Sequence, residues 1–191
     1  DDGKVYYTGA FDNGIFMSEL EFSYKYDENG KVVDISCKTV SEKKFIWYGT
    51  GGNDPEGPHL YKINGWYYLL ISEGGTEFCH MITVARSRNI WGEYESCPRN
   101  PVFSNRSTSL PIKGTGHMDI VCDQYGDWWG VCLANRPITY PFKHNLGRET
   151  FLVPVEWDDK DWPVIGRNGL LDERISSDRK LHEGVMQKSQ T

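Results

Sequence analysis

The same short beat occurs three times in this chain: Asp2-Gly3-Lys4-Val5-Tyr6-Tyr7, Asn64-Gly65-Trp66-Tyr67-Tyr68 and Tyr125-Gly126-Asp127-Trp128-Trp129. Its glycines, Gly3, Gly65 and Gly126, stand 62 and 61 residues apart. Each beat is a turn followed by a run of aromatic or β-branched residues, the pattern of a hairpin leading into a half-buried strand. Other strand-like runs are Gly14–Phe22 and His80–Ala85, and no long amphipathic stretch suggests a helix. Asp27-Glu28-Asn29-Gly30, Ile63-Asn64-Gly65 and Tyr125-Gly126-Asp127 carry the residues that tolerate positive φ in tight turns. The period suits a four-stranded propeller blade with generous loops, three of them in this length. A β-sandwich also repeats hairpins, so spacing alone leaves both architectures open. Three blades also leave the ring unclosed, since propellers generally use about 4 to 8.

Composition narrows the class of function. Lys and Arg number 21 against 27 Asp and Glu, a net charge of −6 with no basic run, which argues against a nucleic-acid partner. No apolar stretch approaches the roughly 20 residues of a membrane helix. The five cysteines, at 37, 79, 97, 122 and 132, lack the spacing of a zinc site. Cys122 and Cys132 lie in apolar strands that suit buried thiols or bridges, so the cysteines leave the compartment open. Asn105-Arg106-Ser107 is a glycosylation sequon, usable only in a chain secreted by a eukaryote. The polar residues 174–191 read as a tail or linker after a partial domain spanning residues 1–173.

Three constellations can carry chemistry. Glu56 follows the glycine-rich run Gly49-Thr50-Gly51-Gly52 and lies between Pro55 and Pro58, which restrict the backbone and so fix where the carboxyl points. In isolation such a glutamate is ordinarily a solvated turn residue. Ser72-Glu73-Gly74-Gly75-Thr76 ends the second aromatic strand, and its glycines suit either close ligand approach or a bulge. Gly114-Thr115-Gly116-His117 opens a strand in the third beat much as Glu56 does in the second; His117 suits a cation, a water or a hydrogen-bonded core. Arg148, after Gly147, suits sugar hydroxyls or a carboxylate, or else a scaffold pair with Glu149. The chain has no serine-hydrolase elbow, Walker loop, dinucleotide fingerprint or HExxH motif, which leaves hydrolysis by carboxylates.

Four ordered blocks resemble glycoside hydrolase family 43, the β-xylosidases and α-L-arabinofuranosidases. They are Glu56-Gly-Pro-His-Leu-Tyr61, Glu73-Gly-Gly-Thr76, Gly116-His-Met-Asp119, and Leu146-Gly-Arg-Glu-Thr150 followed by Pro154-Val-Glu-Trp157. The resemblance implies an all-β fold of the five-bladed β-propeller type, with about three blades in this chain. It implies inverting hydrolysis, in which a protonated acid meets the glycosidic oxygen and a base activates water, the carboxyls standing roughly 6.5–9.5 Å apart. Glu56 matches the general acid, whose pKa must be raised by burial and a neighbouring carboxylate. Thr76 and Arg148 match residues lining the sugar pocket, and His117 matches a central histidine that contacts substrate and binds a calcium ion or its waters. No cofactor is required beyond such a structural calcium. Met118 replaces the alanine frequent in that block.

The departure lies at the beginning. The family's general base is an aspartate of the first blade, and a second aspartate precedes a hairpin resembling Asp1-Asp2-Gly3-Lys4; neither has a counterpart here, since Asp1 and Asp2 are hairpin residues. The expectation is therefore the C-terminal three-fifths of a propeller, incomplete without its first blades, from a separate segment or a second copy. The substrates implied are xylo-oligosaccharides or arabinose-substituted xylan, and an extracellular location is expected. β-Xylosidase leads, with α-L-arabinofuranosidase as the alternative within the family. A non-catalytic sugar-binding remnant and a purely structural propeller are the alternatives from other classes.

Overall fold

A computed structural model describes residues 3–139 and 143–174. The tail reading for residues 175–191 and the hairpin reading of Asp1 and Asp2 fall outside the described residues. Twelve strands form three antiparallel sheets, and no helix occurs among the described residues. The first sheet holds β1 (Val5–Phe11), β2 (Gly14–Tyr26), β3 (Val32–Thr39) and β4 (Lys44–Trp47). The second runs in simple meander order through β5 (Glu56–Ile63), β6 (Trp66–Glu73), β7 (Met81–Ser87) and β8 (Glu95–Ser96). The third repeats that order with β9 (Lys113–Cys122), β10 (Trp128–Asn135), β11 (Glu149–Trp157) and β12 (Pro163–Ile165).

The repeated beat occupies equivalent turns in two of these sheets. Asn64-Gly65 joins β5 to β6, with φ of 49° and 77°, and Gly126 joins β9 to β10 at φ 88°. Glycine and asparagine adopt such angles more readily than most residues, which is why these turn signals were readable. The first beat leads into β1 instead, so β1 takes the place of β6 and β10 and lies against β5, where the Thr8 hydroxyl donates to the Pro58 carbonyl at 3.4 Å. The first sheet reaches four strands because β2 is long: β4 pairs its Ile15–Met17 stretch and β3 its Leu20–Tyr26 stretch.

Burial follows this layering. In β6, Tyr68 and Leu70 join the core shared with the third sheet, while Leu69 and Ile71 join the core shared with the first. The middle sheet is thus covered on both faces, and every residue of β7 is buried. Phe103, Ile112, Met118, Val153 and Ile165 fill the first of these cores, each such side chain contributing about 1.5–3 kcal/mol. By contrast β2 beyond Leu20 and all of β3 are solvent-exposed, forming an arm whose Lys25–Asp34 and Lys38–Glu21 pairs lie at 3.0 and 2.7 Å.

Two expectations are corrected. Cys122 is exposed, because inward residues of β9 alternate as Met118 and Ile120 and the strand has left the core by position 122. Cys132 is buried as expected, and all five cysteines are free thiols. The Asn105 sequon is closed to glycosylation in this fold: the amide is fully buried and donates to the carbonyls of Ile112 and Leu171 at 3.1 and 2.7 Å.

Candidate active site

Glu56 and His117 reach the same place by the same device. Glu56 pairs with Ser72 and His59 with Leu70, so Gly57 and Pro58 together face the single residue Ile71. Likewise Asp119 pairs with Val131 and Gly116 with Leu133, which leaves His117 and Met118 opposite Cys132. Each first strand therefore carries a bulge that re-aims one side chain. His117 holds the left-handed φ of 50°, stabilised by its N–H donating to the Ser72 hydroxyl at 2.7 Å. Its Nδ1 stands 3.6 Å from Oε1 of Glu56, both side chains being partly open to solvent. Gly57 makes this approach feasible, since a Cβ there would lie 3.1 Å from the His117 ring.

The loop delivering Glu56 is wrapped around a buried carboxylate. Glu73, fully buried, accepts the N–H groups of Thr50 and Gly52 at 2.9 Å and the hydroxyls of Thr50 and Thr83. A Cβ on Gly49 would fall 2.5 Å from a Glu73 oxygen, so the glycine run is required by close packing of backbone on the acid. The next two glycines turn the chain: Gly74 and Gly75 have φ of 89° and 70°, and a Cβ on Gly74 would strike the Cys79 carbonyl.

His80 is a member of the site that the sequence reading missed. It is 1% exposed, with Nδ1 3.3 Å from the Gly114 carbonyl, which fixes the proton on Nδ1. Nε2 is then a lone-pair acceptor, and it has no hydrogen-bond partner among the described residues. Burial pushes the imidazole pKa below its ordinary 6.5. The ring lies directly on Gly116, where a Cβ would come within 2.4 Å of it, so Gly114-Thr-Gly116-His117 is shaped as much by His80 as by His117. One ligand atom from each of Glu56, His80 and His117 lies within 4.8 Å of the others.

Arg148 and Thr76 also meet, the guanidinium donating to the hydroxyl at 3.0 Å. Thr76 lines a shallow depression of about 290 Å³ with Gly74, Gly75, Phe78 and Cys79. Glu149 is not the partner of Arg148; it accepts from Arg136, both oxygens at 3.1 Å from Nε. Asp119 is occupied structurally, accepting from the Tyr61 hydroxyl, which in turn accepts the Ile120 N–H at 3.0 Å and ties β5 to β9. Burial, and after it that carboxylate, push the Tyr61 pKa up.

The sequence pattern of the glycosyl hydrolases family 43 matches residues 1–163. The chain belongs to that family. Family 43 relatives include the non-reducing end alpha-L-arabinofuranosidase BoGH43B of Bacteroides ovatus, 41% identical over 173 residues, covering 90% of this chain and 30% of that protein. A xylosidase/arabinosidase of Butyrivibrio fibrisolvens is 41% identical over 184 residues, covering 93% of this chain and 34% of its own. Among solved family 43 structures, a xylan beta-1,4-xylosidase from Bacillus halodurans superposes with a TM-score of 0.78 at 33% identity, over 95% of this chain and 35% of that one. The chain thus spans about a third of the length of these relatives, and its three sheets are blades of a five-bladed propeller.

Proposed function

We propose that this chain supplies the acid side of a glycosidase site acting on xylan-derived substrates, with β-xylosidase action on terminal xylosyl units as the leading reading. The observation carrying it is the convergence of Glu56 and His117, 3.6 Å apart on two matched bulges. Glu56 protonates the leaving glycosidic oxygen, and its partly open side chain leaves the carboxyl within reach of substrate. His117 orients that carboxyl and contacts sugar, while Arg148 and Thr76 present a guanidinium and a hydroxyl to sugar hydroxyls. The base that activates water on the opposite face belongs to blades outside this chain, so the inverting reaction is a property of the completed propeller. The name of the Bacteroides ovatus relative supports α-L-arabinofuranosidase action as the second reading, and that of the Butyrivibrio fibrisolvens relative, a xylosidase/arabinosidase, is compatible with either.

The test is Glu56→Gln in the completed enzyme on aryl β-xylosides and aryl α-arabinofuranosides of graded leaving group. An amide supplies no proton, so the expected loss is at least about 100-fold on poor leaving groups and small on good ones. Equal rates across the series would remove Glu56 from this role. The 191-residue chain alone is expected to show no turnover, and ordinary turnover by it would overturn the division between acid and base.

A further inference from the structure

The exposed arm carries an open strand edge that the sugar site does not use. In the first sheet β3 ends the strand order, and its far edge meets no other strand among the described residues. The Val40 N–H donates to the Glu19 carbonyl at 2.9 Å, which sets the phase of the β2–β3 ladder: the main-chain groups of Asp34, Ser36 and Lys38 face β2, and those of Ile35 and Cys37 face outward. Such an edge is a template for a further strand unless proline, a bulge or unbalanced charge blunts it. Val32–Thr39 has no proline or glycine, and the ladder's irregularity lies at the tip, between Lys25 and Tyr26. Its two charged residues, Asp34 and Lys38, are of opposite sign and already stand in cross-strand pairs, Asp34 with Lys25 at 3.0 Å and Lys38 with Glu21 at 2.7 Å. The other face of the arm sets Phe22 opposite Cys37 and Tyr24 opposite Ile35, all exposed.

We infer that β3 pairs antiparallel with the β3 of a second copy of this chain, about a two-fold axis at Ser36. At that register the strand complements itself. Asp34 stands opposite the partner's Lys38, and Lys38 opposite the partner's Asp34, in non-hydrogen-bonded pairs where side chains approach most closely. The existing ion pairs then extend into rows of alternating sign, running from Lys25 through Asp34 to the partner's Lys38 and the partner's Glu21. On the opposite face Tyr24 and Ile35 continue into the partner's Cys37 and the partner's Phe22. Ile35 and the partner's Cys37 exchange main-chain hydrogen bonds, which satisfies the outward groups. Cys37 and the partner's Cys37 lie on a diagonal of roughly 7–8 Å, past the about 7 Å between Cα atoms that a disulfide spans, so the contact is non-covalent. An unrelated strand would have to reproduce this order of charges, whereas a second copy carries it.

Sedimentation velocity on the full chain at tens of micromolar tests this, and its readout is independent of the acid assignment. A dimer is expected, unchanged by dithiothreitol. Asp34→Lys makes both charges at the axis positive and Lys38→Asp makes both negative, so each variant alone is expected to dimerise about tenfold or more weakly. Mixed in equal amounts, the two variants restore opposite charges at every axial pair, and a heterodimer that recovers most of the lost affinity is expected. Association through the apolar face of the first sheet would not respond to these charges. Should either charge variant fail to fold, Cys37→Pro, which removes an outward N–H and leaves the bonds to β2 in place, is expected to be monomeric. A monomeric parent, a dimer that dithiothreitol dissociates, a dimer indifferent to these variants, or a mixture that recovers nothing overturns the pairing.

Discussion

The buried carboxylate of Glu73 accepts the backbone N–H of Gly52 at 2.9 Å, four residues ahead of Glu56. Glu73 therefore acts on the site at one remove, by holding the loop that delivers the acid. Replacing it with alanine strips partners from the Thr50 and Gly52 amides and from the Thr50 and Thr83 hydroxyls. Each buried group left unpaired costs about 1–3 kcal/mol, less where water enters, so a loss of about 3 kcal/mol is expected in urea unfolding. Glu73→Gln keeps one acceptor oxygen and should lose about half of that. An alanine variant as stable as the parent would show that the loop holds itself.

Gly116 is needed for space rather than for backbone freedom. An added Cβ would overlap the His80 ring at 2.4 Å, and His80 is buried and tethered to Gly114. Gly116→Ala is expected to cost about 1–3 kcal/mol, the usual range for overpacking. A double-mutant cycle with His80→Ala isolates the contact, because removing the ring should relieve most of the alanine's cost. If Gly116→Ala costs the same with and without the ring, the clash is not its cause.

What could be read from the sequence follows a physical division. Turns at Asn64-Gly65 and Gly126 announced themselves because positive φ restricts residue choice, and β6 and β10 did so through aromatic density. Glu56, Thr76, His117 and Arg148 drew attention through the glycines beside them, and for Glu56 the flanking prolines, but their roles came from the resemblance to family 43 and not from those local signals. The arm was missed beyond Phe22: β3 has no core face, and strands supported only by a neighbour and surface ion pairs carry no burial pattern. β8 and β12, of 2 and 3 residues, are too short for any periodicity. His80 was hidden in the run Cys79-His80-Met81, where nothing local marks it. Its signal was Gly116, thirty-six positions on, whose missing side chain makes sense only once the ring is seen above it.

The cysteines divide by exposure, and reagent thiols should count them. Cys37, Cys79 and Cys122 are exposed, whereas Cys97 and Cys132 are each 3% exposed. An aromatic disulfide reagent is expected to titrate three thiols rapidly in the folded chain and five after denaturation. Five fast thiols, or fewer than five in denaturant, would contradict the fold or the free-thiol state.

Alkaline pH offers a test of the core itself. Burial pushes the Cys132 thiol from its ordinary 9.0 up to about 12, and Cys97 moves in the same direction. Above pH 9 the unfolded chain releases these protons while the folded chain retains them. The stabilisation is therefore complete below pH 9 and is lost as pH rises toward 12, at up to about 1.4 kcal/mol per pH unit for each thiol. Tyrosines and lysines titrate in the same range, so the decisive quantity is a difference between variants. Urea unfolding at pH 8 and pH 10 should show a drop larger by about 1 kcal/mol in the parent than in Cys132→Ala, whatever the alanine's absolute stability. Equal drops in the two would mean that Cys132 is open to solvent in the folded state, and that the core between the second and third sheets is looser than its packing implies.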